Sequence, residues 1–341
     1  MSVTIRDVAK HLGISITTVS RALDGYPDVS ESTRQRVLQA ARELGYVPNR
    51  AARQLRRKRT ETIGYILPSS TPYLSGPYSG EFISALADEA AHNGYDLLVS
   101  STPVGGETEQ GIYQRWVCER RVDGFVLNHV RQSDWRIKYL TGEHVPFASL
   151  ERSADSSDYP SVHMEYLMCV SSLVNHLVAQ GIKRIAFIGT KDDLAIHTDR
   201  YQGYRLGLNM YGLPFDETLV TQADPTTTGG YQAAKKLQVL PKPPNAIICI
   251  NDEPAIGVLR AAQDAHQRLG EDLSLIAFDV AQATQRAQPS MTSVNQPVSE
   301  IAHLLVRMLL AEIKGTSLQD RQVVLQPIVK FGTSHGKGGR E

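Results

Sequence analysis

The 341-residue chain is short of several features that would settle its class on their own. Its three cysteines, Cys118, Cys169 and Cys249, are an odd number with no close pair. That pattern fits reduced thiols better than a disulfide framework or a zinc site. The ten histidines show no ligand spacing, so neither a metal nor a cofactor is expected. His-Glu-x-x-His is missing, and Gly105-Gly106 and Gly229-Gly230 stand outside the frames of phosphate-binding loops. No apolar run approaches the roughly 18 residues of a membrane span, and no signal-peptide pattern is found. The tail, residues 331–341, is Gly-rich and basic without leucine heptads, which argues against a tetramerising coiled coil. Net charge is absent too, with 36 basic side chains against 36 acidic.

That zero is a sum of opposites. Residues 1–60 hold twelve Lys/Arg and five Asp/Glu, a surplus of +7, whereas residues 61–341 hold 24 and 31, or −7. A basic segment beside an acidic body suggests a polyanion met at one end only. The basic end carries three helix signals. Thr4 and Asp7 read as a capping box for Ile5 to Leu12, ended by a left-handed Gly13. Ser15 caps Ile16 to Leu23, with Val19, Ala22 and Leu23 facing inward. Ser30 caps Glu31 to Leu44, closed by Gly45, with Val37, Leu38, Ala41 and Leu44 as its apolar face. Helix, short Gly-containing turn, helix is the helix-turn-helix arrangement, whose second helix enters the major groove by its N-terminal residues. Ile16 and Thr17 would reach base edges first. Thr18, Ser20 and Arg21 lie close by, and Thr4 and Ser15 at the helix starts complete the contact candidates.

The run Thr4-Ile-Arg-Asp-Val-Ala-Lys-His-Leu-Gly-Ile-Ser-Ile-Thr-Thr-Val-Ser-Arg-Ala-Leu resembles the head of the lactose-repressor (LacI) family of bacterial transcription regulators. Val29-Ser-Glu-Ser-Thr-Arg and Leu44-Gly-Tyr-Val-Pro-Asn continue the likeness, which extends to about Leu325. Residues 48–60 carry good helix formers but no apolar face wide enough to fold alone. The resemblance implies a hinge helix that orders on DNA. It implies minor-groove contacts from Asn49, Arg50, Ala52, Arg53 and Arg56, with Leu55 wedged between base pairs.

Beyond Thr60, short apolar runs alternate with amphipathic stretches, the rhythm of parallel sheets with helices on both faces. About 280 residues is large for one core, so two lobes are expected. The resemblance supplies their topology: an α/β fold of two doubly wound, periplasmic-binding-protein-like lobes joined by three crossings, placed near Ser161, Ser293 and Gln326. The expected domains are 1–47 (helix-turn-helix), 48–60 (hinge) and 61–341 (effector binding and dimerisation). Lobe 1 takes about 61–160 and 294–326, and lobe 2 about 161–293 and 327–341. A ligand would sit outside the carboxyl ends of the strands.

By the same resemblance, Tyr78 after Pro77 would present a ring to a sugar face. Arg200, opening Arg-Tyr-Gln-Gly-Tyr, would bridge two hydroxyls. Asn251, Asp252 and Asp279 at strand ends would accept from others. Three departures weaken the monosaccharide pattern: Met164-Glu165 stands for Asp-Asn, Asp279-Val280 for Asp-Asp, and Pro225 for an aromatic. Asn128, Arg131 and the Ser69–Gly76 loop are the replacements on offer, and the longer loop favours a glycoside.

A doubly wound enzyme is the competing class, but it needs a nucleophile, base or phosphate cradle at the strand ends, where only hydroxyl-binding groups appear. A scavenging sugar-binding protein conflicts with the DNA-binding head. The expectation is therefore a non-enzymatic, cytoplasmic, nucleoid-associated bacterial repressor of carbohydrate genes. It would be a homodimer on a pseudo-palindromic double-stranded operator, controlled by a sugar or glycoside.

Overall fold

The computed structural model describes residues 3–47, 59–67, 77–102, 106–155, 158–279 and 290–335. The chain divides into two compact units, Met1–Thr60 and Glu61–Glu341.

In the first unit, helices α1 (Ile5–Leu12), α2 (Ile16–Leu23) and α3 (Glu31–Leu44) start and stop where the caps predict. The Asp7 carboxylate accepts from the Thr4 amide (2.9 Å) and the Thr4 hydroxyl (2.7 Å). Ser15 accepts from Thr18 N–H at 3.0 Å and Ser30 from Thr33 N–H at 3.3 Å. Gly13 and Gly45 close α1 and α3 at φ of 66° and 69°, a conformation that costs an L side chain strain. Val8, Ala9, Val19, Ala22, Val37 and Ala40 form the core. Ala40 thus takes a place expected of Leu38, which stays half-exposed.

The second unit holds two six-stranded sheets. The first contains β1 (Thr62–Leu67), β2 (Asp96–Ser101), β3 (Gly124–Leu127), β4 (Phe147–Leu150), β5 (Ser161–Met164) and β11 (Gln322–Leu325), in the order β11-β5-β4-β3-β1-β2. The second contains β6 (Ile185–Gly189), β7 (Val220–Gln222), β8 (Ala246–Cys249), β9 (Ser274–Phe278), β10 (Thr292–Asn295) and β12 (Ile328–Lys330), in the order β12-β10-β9-β8-β6-β7. The pairs are parallel except β10 with β12. The central strands are buried along their whole length, as helices on both faces require.

Two of the expected crossings shift. Ser161–Met164 pairs with Gln322–Leu325 in the first sheet, so the chain leaves that lobe after Met164 rather than near Ser161. Thr292–Asn295 lies in the second sheet, so the return follows Asn295 rather than Ser293. The third crossing falls between Leu325 and Ile328, around Gln326. Sheet membership here depends on tertiary partners, 161 residues away for Ser161 and 16 and 37 away for Thr292 and Ser293, which local pattern does not show.

Helices α4 (Pro77–His92), α5 (Glu109–Cys118) and α6 (Trp135–Gly142) connect strands of the first lobe; α11 (Val298–Lys314) returns to it. Val298, Ile301, Ala302, Leu305, Val306 and Leu309 give α11 a buried stripe at helical spacing. The second lobe is built with α7 (Tyr166–Ala179), α8 (Ala195–Met210), α9 (Thr227–Gln238) and α10 (Asp252–Asp264). Gly203 lets α8 approach α7, since a Cβ there would lie 2.6 Å from the Leu167 carbonyl. Among the described residues, no helix is long and apolar enough to cross a membrane.

Candidate functional site

On the basic unit, Ile16 is 45% exposed although it is a large aliphatic at a helix start. Thr17 is exposed beside it, and the Ser15 and Thr18 hydroxyls are 2.9 Å apart. Thr4 is exposed with its hydroxyl given to Asp7, and Arg21 is exposed at the end of the same helix as Ile16. Ser20, one turn after Ile16 on the same side of α2, is buried at 6% with its hydroxyl given to Asp24. The hinge candidates Asn49, Arg50, Ala52, Arg53, Leu55 and Arg56 lie outside the described residues.

In the second unit, one cavity between the lobes collects most of the remaining candidates. Tyr78, Asn128, Arg200, Asn251, Asp252 and Asp279 all line it. Strand ends explain the convergence: Asn128 follows β3, Asn251 and Asp252 follow β8, and Asp279 follows β9, with α8 bringing Arg200 alongside.

Arg200 is 1% exposed and largely committed to protein groups. It donates from Nη1 to the Ile250 carbonyl (2.9 Å), and from Nη2 to the Tyr166 hydroxyl (2.9 Å) and Asp279 (2.7 Å). Its guanidinium carbon lies against the rings of Tyr166 and Phe278, 4.3 and 4.2 Å from their centroids. Nε has no partner. The Arg-x-x-Gly-Tyr motif is thus partly architectural: Gly203 seats the helix, and Tyr204 donates to the Ile185 carbonyl at 2.9 Å.

Asp279 sits at a φ of 54° and accepts from Gln296 at 3.2 Å as well as from Arg200. Asp252 accepts the Glu253 amide at 2.8 Å. Burial, with the neighbouring Asp279 and Glu253 carboxylates and against that amide bond, pushes the Asp252 carboxyl up to about 6. Burial lowers His129 to about 3, helped by Arg136 and His197, so this cavity imidazole is neutral. Tyr78 donates to Gln296 at 3.0 Å and stacks one face on Phe82, leaving at most the other for a ligand. The Asn128 Nδ2 has no hydrogen-bond partner of good geometry, although its amide is close enough to lower the pKa of Tyr78 against burial.

Arg131 does not join this group. Its Nη2 donates to Glu109 at 2.9 Å, drawing the side chain into the first lobe. Its backbone region instead ties the lobes together: Ala195 N–H donates to the Val130 carbonyl (2.8 Å) and Gln132 N–H to Asp193 (2.9 Å). The departures also find places. Met164 is buried, Glu165 caps α7 through the Met168 amide, and Pro225 lines the cavity. Val280 and the 69–76 loop lie outside the described residues.

Sequence reasoning missed Glu151, His197 and Gln296 as cavity residues. Glu151 and Gln296 follow the short strands β4 and β10, so the strand-end rule would have found them had those strands been marked. His197 lies one turn before Arg200 on α8 and pairs with Asp192 and Thr190.

A capped helix-turn-helix unit and a two-lobed domain with a polar inter-lobe cavity together define a DNA-binding regulator with a periplasmic-binding-protein-like body. Residues 4–49 match bacterial regulatory proteins of the lacI family, and residues 174–335 match the periplasmic binding protein-like domain. Catabolite control protein A of Priestia megaterium is 30% identical over 98% of this chain and 99% of its own length. The HTH-type transcriptional regulator AglR of Rhizobium meliloti is 35% identical over 82% of this chain and 78% of its own. Among solved structures, a transcriptional regulator CelR–cellobiose complex superposes with a TM-score of 0.72 at 26% identity, covering 97% of this chain and 99% of that one. The lac repressor dimer bound to operator and the anti-inducer ONPF shares the fold, with a TM-score of 0.80 at 24% identity over 98% of this chain and 99% of that one. The chain belongs to the lacI family of bacterial regulatory proteins and is a DNA-binding transcriptional regulator.

Proposed function

We propose that this chain is a dimeric repressor of carbohydrate-utilisation genes whose hold on operator DNA is set by a sugar or glycoside in the inter-lobe cavity. The observation that carries the reading is the meeting of Asp252, Asp279, Asn128 and Arg200 at one cavity. Carboxylates accept hydroxyl protons, while the Asn128 Nδ2 group donates to a ring or hydroxyl oxygen. The similarity to a regulator solved with cellobiose supports a glycoside over a nucleobase.

On the DNA side, Ile16 and Thr17 read base edges, with Ser15, Thr18, Arg21 and Thr4 around them. Asn49, Arg50, Ala52, Arg53, Leu55 and Arg56 form the minor-groove part. Coupling follows from linkage: the ligand changes operator affinity by its preference for one lobe arrangement over the other. A thermal-shift screen of di- and oligosaccharides tests this directly, because a ligand at 100 times its Kd adds about 2.7 kcal/mol of apparent stability. The expected hit also shifts an operator-binding curve. Stabilisation by nucleobases alone would overturn the carbohydrate reading.

A further inference from the structure

Arg21, in the last turn of α2, is held from two sides by the loop that follows. Its Nε and Nη2 donate side-on to Asp28, at 3.2 and 2.6 Å, and its guanidinium carbon lies 5.0 Å from the centre of the Tyr26 ring. The loop is itself anchored. Tyr26 N–H donates to the Arg21 carbonyl (3.0 Å), Gly25 turns at a φ of 74°, and Arg34 of α3 donates to the Tyr26 carbonyl at 3.0 Å.

We propose that Asp28 and Tyr26 are positioning residues that fix Arg21 as a guanine-reading fork, which makes the 24–29 loop a determinant of operator specificity. The proposal rests on the reading that α2 enters the major groove. A guanidinium has five N–H donors. Asp28 takes one edge, and the Nη1/Nη2 end is left to present the paired donors that match guanine O6 and N7. Packing over the Tyr26 ring and the bond to Asp28 together restrict the side chain, so less of its freedom is lost when a base is met.

Asp28 also brings a negative charge to a surface meant for a polyanion. It should therefore weaken binding to any duplex while sharpening the choice among duplexes. A merely structural ion pair would not produce that opposition.

The test is selection from a randomised duplex library with the full-length protein, followed by salt titrations on the selected and a scrambled duplex. The natural sequence should enrich one guanine per half-site that Arg21→Ala no longer enriches. Asp28→Ala should keep the rest of the selected motif, relax that guanine at least fivefold, and bind the scrambled duplex more tightly. Asp28→Glu should recover part of the preference. Unchanged guanine preference in Asp28→Ala overturns the proposal and leaves the groove reading intact. Unchanged preference in Arg21→Ala overturns both.

Discussion

Arg200 and Asp279 form a 2.7 Å ion pair in the wall of the inter-lobe cavity, with the cation packed on two aromatic rings. The pair joins the start of α8 to the end of β9, so the groups proposed to meet a ligand also hold the second lobe together. Removing one partner leaves the other charge buried. Arg200→Ala should therefore destabilise the effector domain by about 3–5 kcal/mol, and it should weaken sugar binding at least tenfold. Asp279→Asn should recover part of the stability in the double variant, because the stranded anion is gone. Operator binding without sugar should persist below the lowered Tm, since the DNA contacts lie in the other unit. Calorimetry and thermal unfolding decide the matter; unchanged sugar affinity in a folded Arg200→Ala protein places the ligand elsewhere.

Gly230 and Gly257 set the spacing of α9 and α10. A Cβ on Gly230 would lie 2.0 Å from the Pro254 carbonyl, and one on Gly257 would lie 2.1 Å from the Thr227 carbonyl. Alanine improves helix propensity by roughly 1 kcal/mol, but backbone-to-backbone contacts cannot relax by a rotamer change. Each single Gly→Ala variant is expected to lose about 1–3 kcal/mol net, read as a lower urea midpoint. Since Asn251 and Asp252 begin α10, effector affinity should fall as well. A gain in stability would mean that propensity outweighs the contact.

The hinge yields a prediction about DNA. Two recognition helices related by a two-fold axis should protect a pseudo-palindrome, with the Leu55 side chains at its centre. Leu55→Ala should lower specific affinity strongly and abolish operator bending while the effector domain stays folded. Footprinting and a bending assay check both; protection of an isolated half-site or a direct repeat contradicts the dimer.

What could be read before the fold was known depended on how local the cause was. The three helices of the basic unit end where Ser15, Ser30, Gly13 and Gly45 stand because caps and left-handed glycines act within one turn. Asn128, Asp252 and Asp279 were legible because they follow unbroken apolar runs that read as strands. Arg131 was not, because its partner Glu109 is 22 residues away and captures a side chain whose neighbours do face the cleft. The burial of Ser20, one turn after Ile16, was not legible either, because packing within the unit sets it and a small hydroxyl carries no local signal. The role of Glu151 depends on strand β4, whose Phe-Ala-Ser-Leu run is interrupted by a serine and does not read as a buried strand.

His163 stands between carboxylates of the two lobes, and this sets a pH dependence. Its Nδ1 is 2.6 Å from Glu151 in its own lobe, and its Nε2 is 3.9 Å from Asp199 on α8 of the other. Glu165 adds a further negative charge nearby, and Arg200 a positive one beside Asp199. The hydrogen bond to Glu151 raises the His163 pKa despite desolvation, with Asp199 and Glu165 assisting. Burial, then Glu151, lifts Asp199 to about 6, against the opposing pull of His163. Both groups hold protons more tightly in the folded domain than in the unfolded chain. The stabilisation they give is therefore complete in acid and is lost as pH rises through their folded values, the Asp199 part between about 4 and 6. Replacing either residue should remove its share of that slope. The Tm advantage of the natural sequence over His163→Gln should shrink from about pH 5 to about pH 8, and Asp199→Asn should gain on the natural sequence over the same range. Differences between variants are the proper measure, because the neutral His129, lowered to about 3, contributes the opposite trend to all of them. If both differences stay flat across that range, the inter-lobe triad does not titrate with folding.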